Sequence, residues 1–359
     1  MVRLLFVNTV RPGYDGLTMF TLKLLRAMDL SGMAAGYVFI AEPPEPIRKE
    51  LEALGIRVYI LPRNGNPPRY VLALARLIRR EKYGIVHAHG NSATLAVEMV
   101  AALLGGAKVR IAHSHNTATT FPGLNLLLNP LFQLLTTARM ACGREAGRWL
   151  FGNRPFEVVP VASDPRDYRF DAACRSKMRK EMGIGDEEIL IGCVAILAPA
   201  KNHLFLLDAF ARARRENSRL RLALIGDGEL RGEIESAAAA LGGAVTLTGG
   251  VSDVPARMQA LDALVLPSLH EGFPNVLVEA QMAGLPALVS ENVTRDCDLT
   301  GLLTFLPLDG DIWAKAMAAL APIDRESASA HGCAMAAEKG FDARREAAKL
   351  RKRYEELIS

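Results

Sequence analysis

A chain of 359 residues has room for two domains of ordinary size, and it is half hydrophobic but only 6% aromatic, a balance that suits helices packed on buried parallel strands. The net charge of +4 is too weak, without a clustered patch and interleaved aromatics, to support nucleic acid as a partner. No apolar run reaches the ~18 residues of a membrane span, and the five scattered cysteines form no C-x-x-C pair for zinc or redox work, so a reduced, cytoplasmic setting is expected.

From the N-terminus, short β-type runs alternate with helical patterns, the mark of repeated βα units and a parallel sheet. MVRLLFVNTV reads as a first strand rather than a leader, because no small-residue cleavage site follows it. Strands are expected at residues 4–7, 35–40, 57–61, 85–89, 109–113 and 157–161. Helices are expected at 18–28, 47–54, 70–81, 93–104 and 126–140, with Pro130 limiting or kinking the last.

Between the first strand and first helix, Pro12-Gly13-Tyr14-Asp15-Gly16 is a turn whose glycines let backbone amides face a diphosphate. His87, His89, His113 and His115 stand at the ends of two neighbouring strands. They read either as neutral, hydrogen-bonded histidines at a sheet edge or, since His87 and His89 share a face, as zinc ligands. His115 is outermost and best placed to touch a sugar hydroxyl or the reacting centre. Further on, the basic face of residues 69–82 and the apolar run 124–135 read as a solvated helix face or as contacts for an anionic membrane.

Residues 162–188 lose hydrophobic periodicity and gain charge, so a linker is placed at 166–187. It separates a first domain, 1–165, from a second, 188–340. A second series follows, with strands expected at 189–197, 220–225, 244–247, 263–266, 287–289 and 304–306. Helices are expected at 204–215, 229–241, 254–260 and 275–283. A charged amphipathic helix from 341 to 359 ends the chain and is expected to pack back on the first domain. Two facing doubly wound domains place their strand ends, and hence their ligands, in the cleft between them.

The second series carries the stronger chemistry. Lys201 follows a strand end and precedes a helix, where a phosphate would sit. Gly226-Asp227-Gly228 and Gly249-Gly250-Val251-Ser252-Asp253 are strand-to-helix loops. Gly226 permits close backbone approach to a ligand, Val251 offers backbone to a planar base, and Ser252 or Asp253 is an expected helix cap. In HEGFPNVLVEAQMAGLP, Glu271 and Glu279 place acid on or beside an apolar helix, with no Lys or Arg between Pro274 and Glu291 to neutralise it. A polar ligand is the natural partner for such groups. The same helix start, after Phe273 and Pro274 with Asn275 as a cap, offers free N–H groups to an anion.

Taken together, VHAHGNSATLA, IAHSHNT, ACGREAGRWLFG, PAKNHLFLLDAF, LIGDGELR, SDVPARMQALDALVLPS and HEGFPNVLVEAQMAGLP resemble the retaining glycosyltransferases of family 4, of the two-domain GT-B type. The resemblance is narrower to bacterial transferases of capsular and exopolysaccharide assembly. It implies an α/β fold of two Rossmann-like domains. It also implies transfer from a nucleotide diphosphate donor, expected to be a UDP-sugar, to a growing lipid-linked glycan by a peripheral cytoplasmic enzyme. By the same resemblance Glu271 faces the donor sugar, Glu279 the ribose diol, Lys201 the diphosphate with Gly13 and Gly16 beside it, and His115 the transferred sugar. No metal or other cofactor is implied.

Two departures touch that site. Ile196 stands where the family has arginine, which removes a bidentate phosphate partner, a loss of about 2 to 4 kcal/mol if nothing replaces it. Val161-Ala162-Ser163-Asp164 stands for Asn-Gly-Ile-Asp. A catalytically degenerate GT-B protein binding a nucleotide or partner enzyme, and a sugar-nucleotide epimerase or hydrolase, are the alternative readings.

Overall fold

The computed structural model describes residues 2–63, 65–116, 119, 121–271 and 273–359. They form two compact units, Met1–Ala162 with Ala343–Ser359, and Ser163–Asp342.

Among the described residues, the first unit holds a sheet of seven parallel strands, β1 (Val2–Asn8), β2 (Met33–Phe39), β3 (Arg57–Ile60), β4 (Ile85–Gly90), β5 (Val109–Ser114), β6 (Ala138–Ala141) and β7 (Glu157–Val158), in the order β3-β2-β1-β4-β5-β6-β7. Both faces are covered, which is why residues 4–7 of β1 read as an unbroken apolar run. Leu5 and Val7 pack with Leu74, Ile78 and Met99 of the helices Pro67–Glu81 and Ala96–Gly105. Leu4 and Phe6 pack on the other face with Phe20 and with Tyr354 of the helix Ala343–Ile358.

Residues 136–140 do not extend the preceding helix. It ends at Leu135, Thr136 is extended, and Thr137 N–H donates to Arg110 O at 2.9 Å, which brings Ala138–Ala141 in beside β5. Four residues are too few to show a strand's period against a helical neighbour.

The second unit repeats the plan with six parallel strands among its described residues, β8 (Ile189–Val194), β9 (Leu220–Ile225), β10 (Val245–Gly249), β11 (Ala263–Leu266), β12 (Ala287–Ser290) and β13 (Leu303–Leu306), in the order β10-β9-β8-β11-β12-β13. Segment 166–187 is part of this unit rather than a free linker. Asp164 and Asp171 cap the helices Pro165–Tyr168 and Ala172–Glu181, and Arg175 and Arg179 reach Asp262 at 2.5 and 3.0 Å. The charge that read as solvated chain is therefore spent on caps and internal ion pairs. Two later helices, Gly310–Ala318 and Arg325–Glu338, escape the sequence pattern. The second is held by a buried Arg325 guanidinium donating to the carbonyls of Ala283 and Leu261, a tertiary anchor with no helical period.

Each strand order reverses direction once, between β1 and β4 and between β8 and β11. At such a switch point the loops leaving the two strands diverge and open a crevice beyond their C-terminal ends. The loops after β8 and β11 carry Lys201 and Glu271.

Candidate functional site

β8 ends at Val194, and the chain reaches Lys201 through the short 3-10 turn Pro199–Lys201. The loop after β11 is stitched to it by Leu269 N–H donating to Ala200 O at 2.8 Å. Lys201 Nζ then donates to Glu271 Oε1 at 2.5 Å, and Ser268 Oγ donates to the same oxygen at 2.6 Å. The two side chains are only 20% and 10% exposed. A pair this buried adds little net stability over apolar packing, but it fixes a cation and an anion side by side at the switch point. Ile196 is 53% exposed on the same loop.

Glu279 is buried in the helix Asn275–Met282 and accepts a hydrogen bond from Ser163 Oγ at 2.6 Å. Burial, reinforced by the Glu279 charge, holds the Tyr168 hydroxyl well above its ordinary pKa. The absence of a local cation at helical spacing therefore does not leave either acid unpaired within the protein. Lys201 lies 70 residues from Glu271 and Ser163 lies 116 from Glu279 in sequence, beyond any helical-spacing test, whereas Ser268 stands only 3 residues before Glu271.

The helix start differs in detail from expectation. Pro274 occupies the cap position, Asn275 is the first helical residue, and no side chain among the described residues caps the helix. Its first N–H groups are consequently not taken by a cap, and its first turn holds no acid to repel an anion. Asn275 Oδ1 is buried without a partner among the described residues. Phe273 stacks on Phe341, with ring centroids 5.2 Å apart.

The two glycine loops are joined by Gly226 N–H donating to Gly249 O at 3.0 Å. Gly226 has φ +151°, and a Cβ there would lie 1.9 Å from Ala195 O, so this glycine is required by the crossing of two loops whether or not a ligand approaches. Val251 is half-buried beside them. Asp253 does not cap the helix Val254–Ala260; its carboxylate accepts from Arg257 Nε at 2.9 Å.

In the first unit, Gly13 and Gly16 border open space, where a Cβ would meet nothing within 4 Å among the described residues. The N–H groups of Leu17 and Thr18 are already taken by Asp15 Oδ1, both at 3.0 Å. The Asp15 carboxylate therefore competes with any anion for the start of that helix.

The four histidines lie on β4, on β5 and just beyond β5, at the centre of the sheet rather than its edge. His87 Nε2 and His113 Nδ1 are 3.0 Å apart, His89 Nδ1 and His115 Nε2 are 2.9 Å apart, and His87 Nδ1 is 2.7 Å from Tyr354 Oη. Burial pushes His87 and His115 down to about 3, and His89 and His113 well below the ordinary range. His87, His89 and His113 bring ligand atoms within 4.8 Å of one another. Both ring nitrogens of His87 are engaged, Nε2 by His113 and Nδ1 by Tyr354, so a metal bound through His87 would have to displace one of these contacts.

Residues 15–157 match the family described as Glycosyl transferase 4-like domain, and residues 188–321 match Glycosyl transferases group 1. The chain is 34% identical over 329 residues to the protein of Bacillus subtilis (strain 168) named as glycosyltransferase EpsF, covering 86% of this chain and 85% of that one. It is 28% identical over 244 residues to the Escherichia coli UDP-Gal:alpha-D-GlcNAc-diphosphoundecaprenol alpha-1,3-galactosyltransferase, covering 63% of this chain and 62% of the relative. Among solved structures it resembles Anabaena HepE in complex with UDP-glucose, with a TM-score of 0.77, 21% identity, and 98% and 100% of the two chains covered.

Proposed function

Because the chain belongs to the group 1 and 4-like glycosyltransferases and has the GT-B type of fold, we propose that it is a retaining, metal-independent enzyme that moves a sugar from a UDP-sugar to a lipid-linked glycan. That it transfers sugar from a nucleotide-sugar donor follows from the family. The finer reading is carried by one observation, the Lys201–Glu271 contact at the switch point of the second unit. The UDP-glucose held by HepE and the diphosphoundecaprenol acceptor of the E. coli relative support the two substrates.

In this reading the bond between the anomeric carbon and the β-phosphate oxygen breaks, and the leaving diphosphate is stabilised by Lys201 and by the backbone N–H groups of Phe273 and Asn275 where the helix begins, with Pro274, which supplies no N–H, shaping the turn between them. The acceptor oxygen bonds to the same face of that carbon, and its proton passes to the departing phosphate oxygen. Glu271 orients the sugar, and Glu279 receives the ribose diol in place of its present hydroxyl donor. Gly226 and Val251 offer backbone to the base. By family resemblance, His115 is assigned to the transferred sugar and Gly13 and Gly16 to the diphosphate.

The acceptor's lipid calls for a membrane surface. No helix among the described residues is long and apolar enough to cross a bilayer. The helix Pro122–Leu135, however, exposes Leu126, Leu127 and Leu134 by 74 to 79%, and the helix Pro67–Glu81 carries Arg69, Arg76, Arg79 and Arg80. An apolar helix face, together with a basic helix elsewhere in the same unit, suits the surface of an anionic bilayer.

The test is incubation with a set of UDP-sugars, with and without a polyprenyl-diphosphate-linked sugar and with EDTA. The expected result is acceptor-dependent transfer that survives EDTA and gives the donor's own anomeric configuration. Inversion, metal dependence or donor consumption without acceptor would each overturn a stated part. A catalytically silent protein is the alternative that exposed Ile196 favours, and any robust turnover excludes it.

A further inference from the structure

Behind His115 the four histidine rings form an ordered array. His87 and His113 meet edge to edge, their rings within 9° of coplanar and their centroids 5.2 Å apart, and His89 meets His115 in the same way at 5.1 Å and 36°. One pair lies on the other, His87 over His89 at 4.2 Å and His113 over His115 at 4.4 Å. Phe20 closes the edge beside His113 and His115, at 5.1 and 4.8 Å.

Burial keeps all four rings neutral, so each carries one N–H. Each nitrogen-to-nitrogen contact has room for one hydrogen, and there are two ways to place it. His89 Nε2 is buried with no hydrogen-bond partner among the described residues. If His115 Nε2 were the donor, the single hydrogen of His89 would sit on that nitrogen as a buried N–H without an acceptor, which is the more costly and the rarer orphan. If His89 Nδ1 is the donor, Nε2 is left as a bare lone pair.

We infer that His89 Nδ1–H donates to His115 Nε2 and thereby fixes His115 as the Nδ1–H tautomer. The second pair obeys the same rule independently. His113 Nε2 is likewise buried and unpartnered, so His113 Nδ1–H donates to His87 Nε2, and the hydrogen of His87 sits on Nδ1 and is donated to Tyr354 Oη. The array is thus directional, with the ring hydrogen of His115 on Nδ1.

Function follows from the tautomer. With Nε2 occupied as an acceptor and Nδ1 carrying the hydrogen, His115 can give a hydrogen bond to an oxygen but has no free basic nitrogen. On the proposed reading, in which His115 contacts the transferred sugar, it is a neutral donor to a sugar oxygen rather than a general base, and His89 is the positioning residue that makes it so.

Nitrogen-15 histidine spectra of the folded protein, with His115 assigned by its loss in His115→Gln, read the tautomer directly. Protonated Nδ1 and bare Nε2 on His115 is the expected result; protonated Nε2 overturns the inference whatever the activity. In transfer assays, His89→Leu lowers kcat by about tenfold or more, and His89→Asn, which keeps a donor near the Nδ1 position, recovers most of it. Equal loss in both variants at unchanged thermal stability overturns the positioning role. If His115→Gln itself leaves transfer untouched, the assigned sugar contact fails, while the spectra still decide the tautomer.

Discussion

Lys201 Nζ and Glu271 Oε1 lie 2.5 Å apart although 70 residues separate them in sequence. The contact joins the loops that leave β8 and β11, the two strands at which the sheet order reverses. The lysine that the family resemblance assigns to a diphosphate is thereby held beside the acid that it assigns to the sugar.

Ile196 is exposed on the Lys201 loop, so a longer side chain there disturbs no core. Ile196→Arg is expected to tighten UDP-sugar binding by roughly tenfold or more, the worth of a charge-assisted hydrogen bond to phosphate. Isothermal titration calorimetry checks this. An unchanged or weaker Kd would show that other groups already satisfy the diphosphate.

Glu279→Gln keeps the shape of the side chain and an oxygen to accept from Ser163, but it removes the charge. UDP affinity should fall about tenfold, while stability changes by less than about 1 kcal/mol. Titration and thermal melts on the same sample separate the two effects. A large drop in melting temperature with unchanged UDP binding would make Glu279 a structural residue only.

The buried histidines make the protein sensitive to acid. Their folded pKa values are depressed below the ordinary 6.5, so the unfolded chain takes up protons first. Stability is therefore full above about pH 7 and is lost as pH falls from about 6.5 toward 3, at about 1.4 kcal/mol per pH unit for each histidine that only the unfolded state protonates. Denaturant melts at pH 8, 7, 6 and 5 should show a plateau followed by a steep fall. A level profile down to pH 5 would contradict the neutral array.

Leu126 and Leu127 face solvent on one helix. Burying either in a bilayer interface is worth about 1.5 to 3 kcal/mol, so the double substitution Leu126→Glu, Leu127→Glu should weaken sedimentation with vesicles containing anionic lipid by tenfold or more. Transfer to a water-soluble acceptor should be unchanged. Equal vesicle binding by wild type and variant would remove this helix from the membrane contact.

The two parallel sheets were legible because their strands are buried on both faces and so stand out as apolar runs between helical periods. β6 and the helix Arg325–Glu338 were not, the first because four residues show no period and the second because a buried guanidinium anchors it. Segment 166–187 misled for a related reason: Asp171, Arg175 and Arg179 look like solvated charge until Asp262 is brought to them. At the site, Glu271, Glu279 and Lys201 were singled out by residue type and position. Ser163, Ser268 and Tyr168 were missed as their neighbours, since a hydroxyl without a motif carries no signal at long range. The histidine pairing was half visible, as an i, i+2 spacing on two strands; the register that sets His89 beside His113 exists only in the sheet.

The central claim is that Glu271 acts on the sugar of a nucleotide donor. Its most direct test is the single-turnover rate of sugar transfer by Glu271→Gln at saturating UDP-sugar, compared with wild type. A rate lower by a factor of about one hundred or more is predicted, the loss of an interaction made in the transition state. A rate equal to wild type would contradict the account.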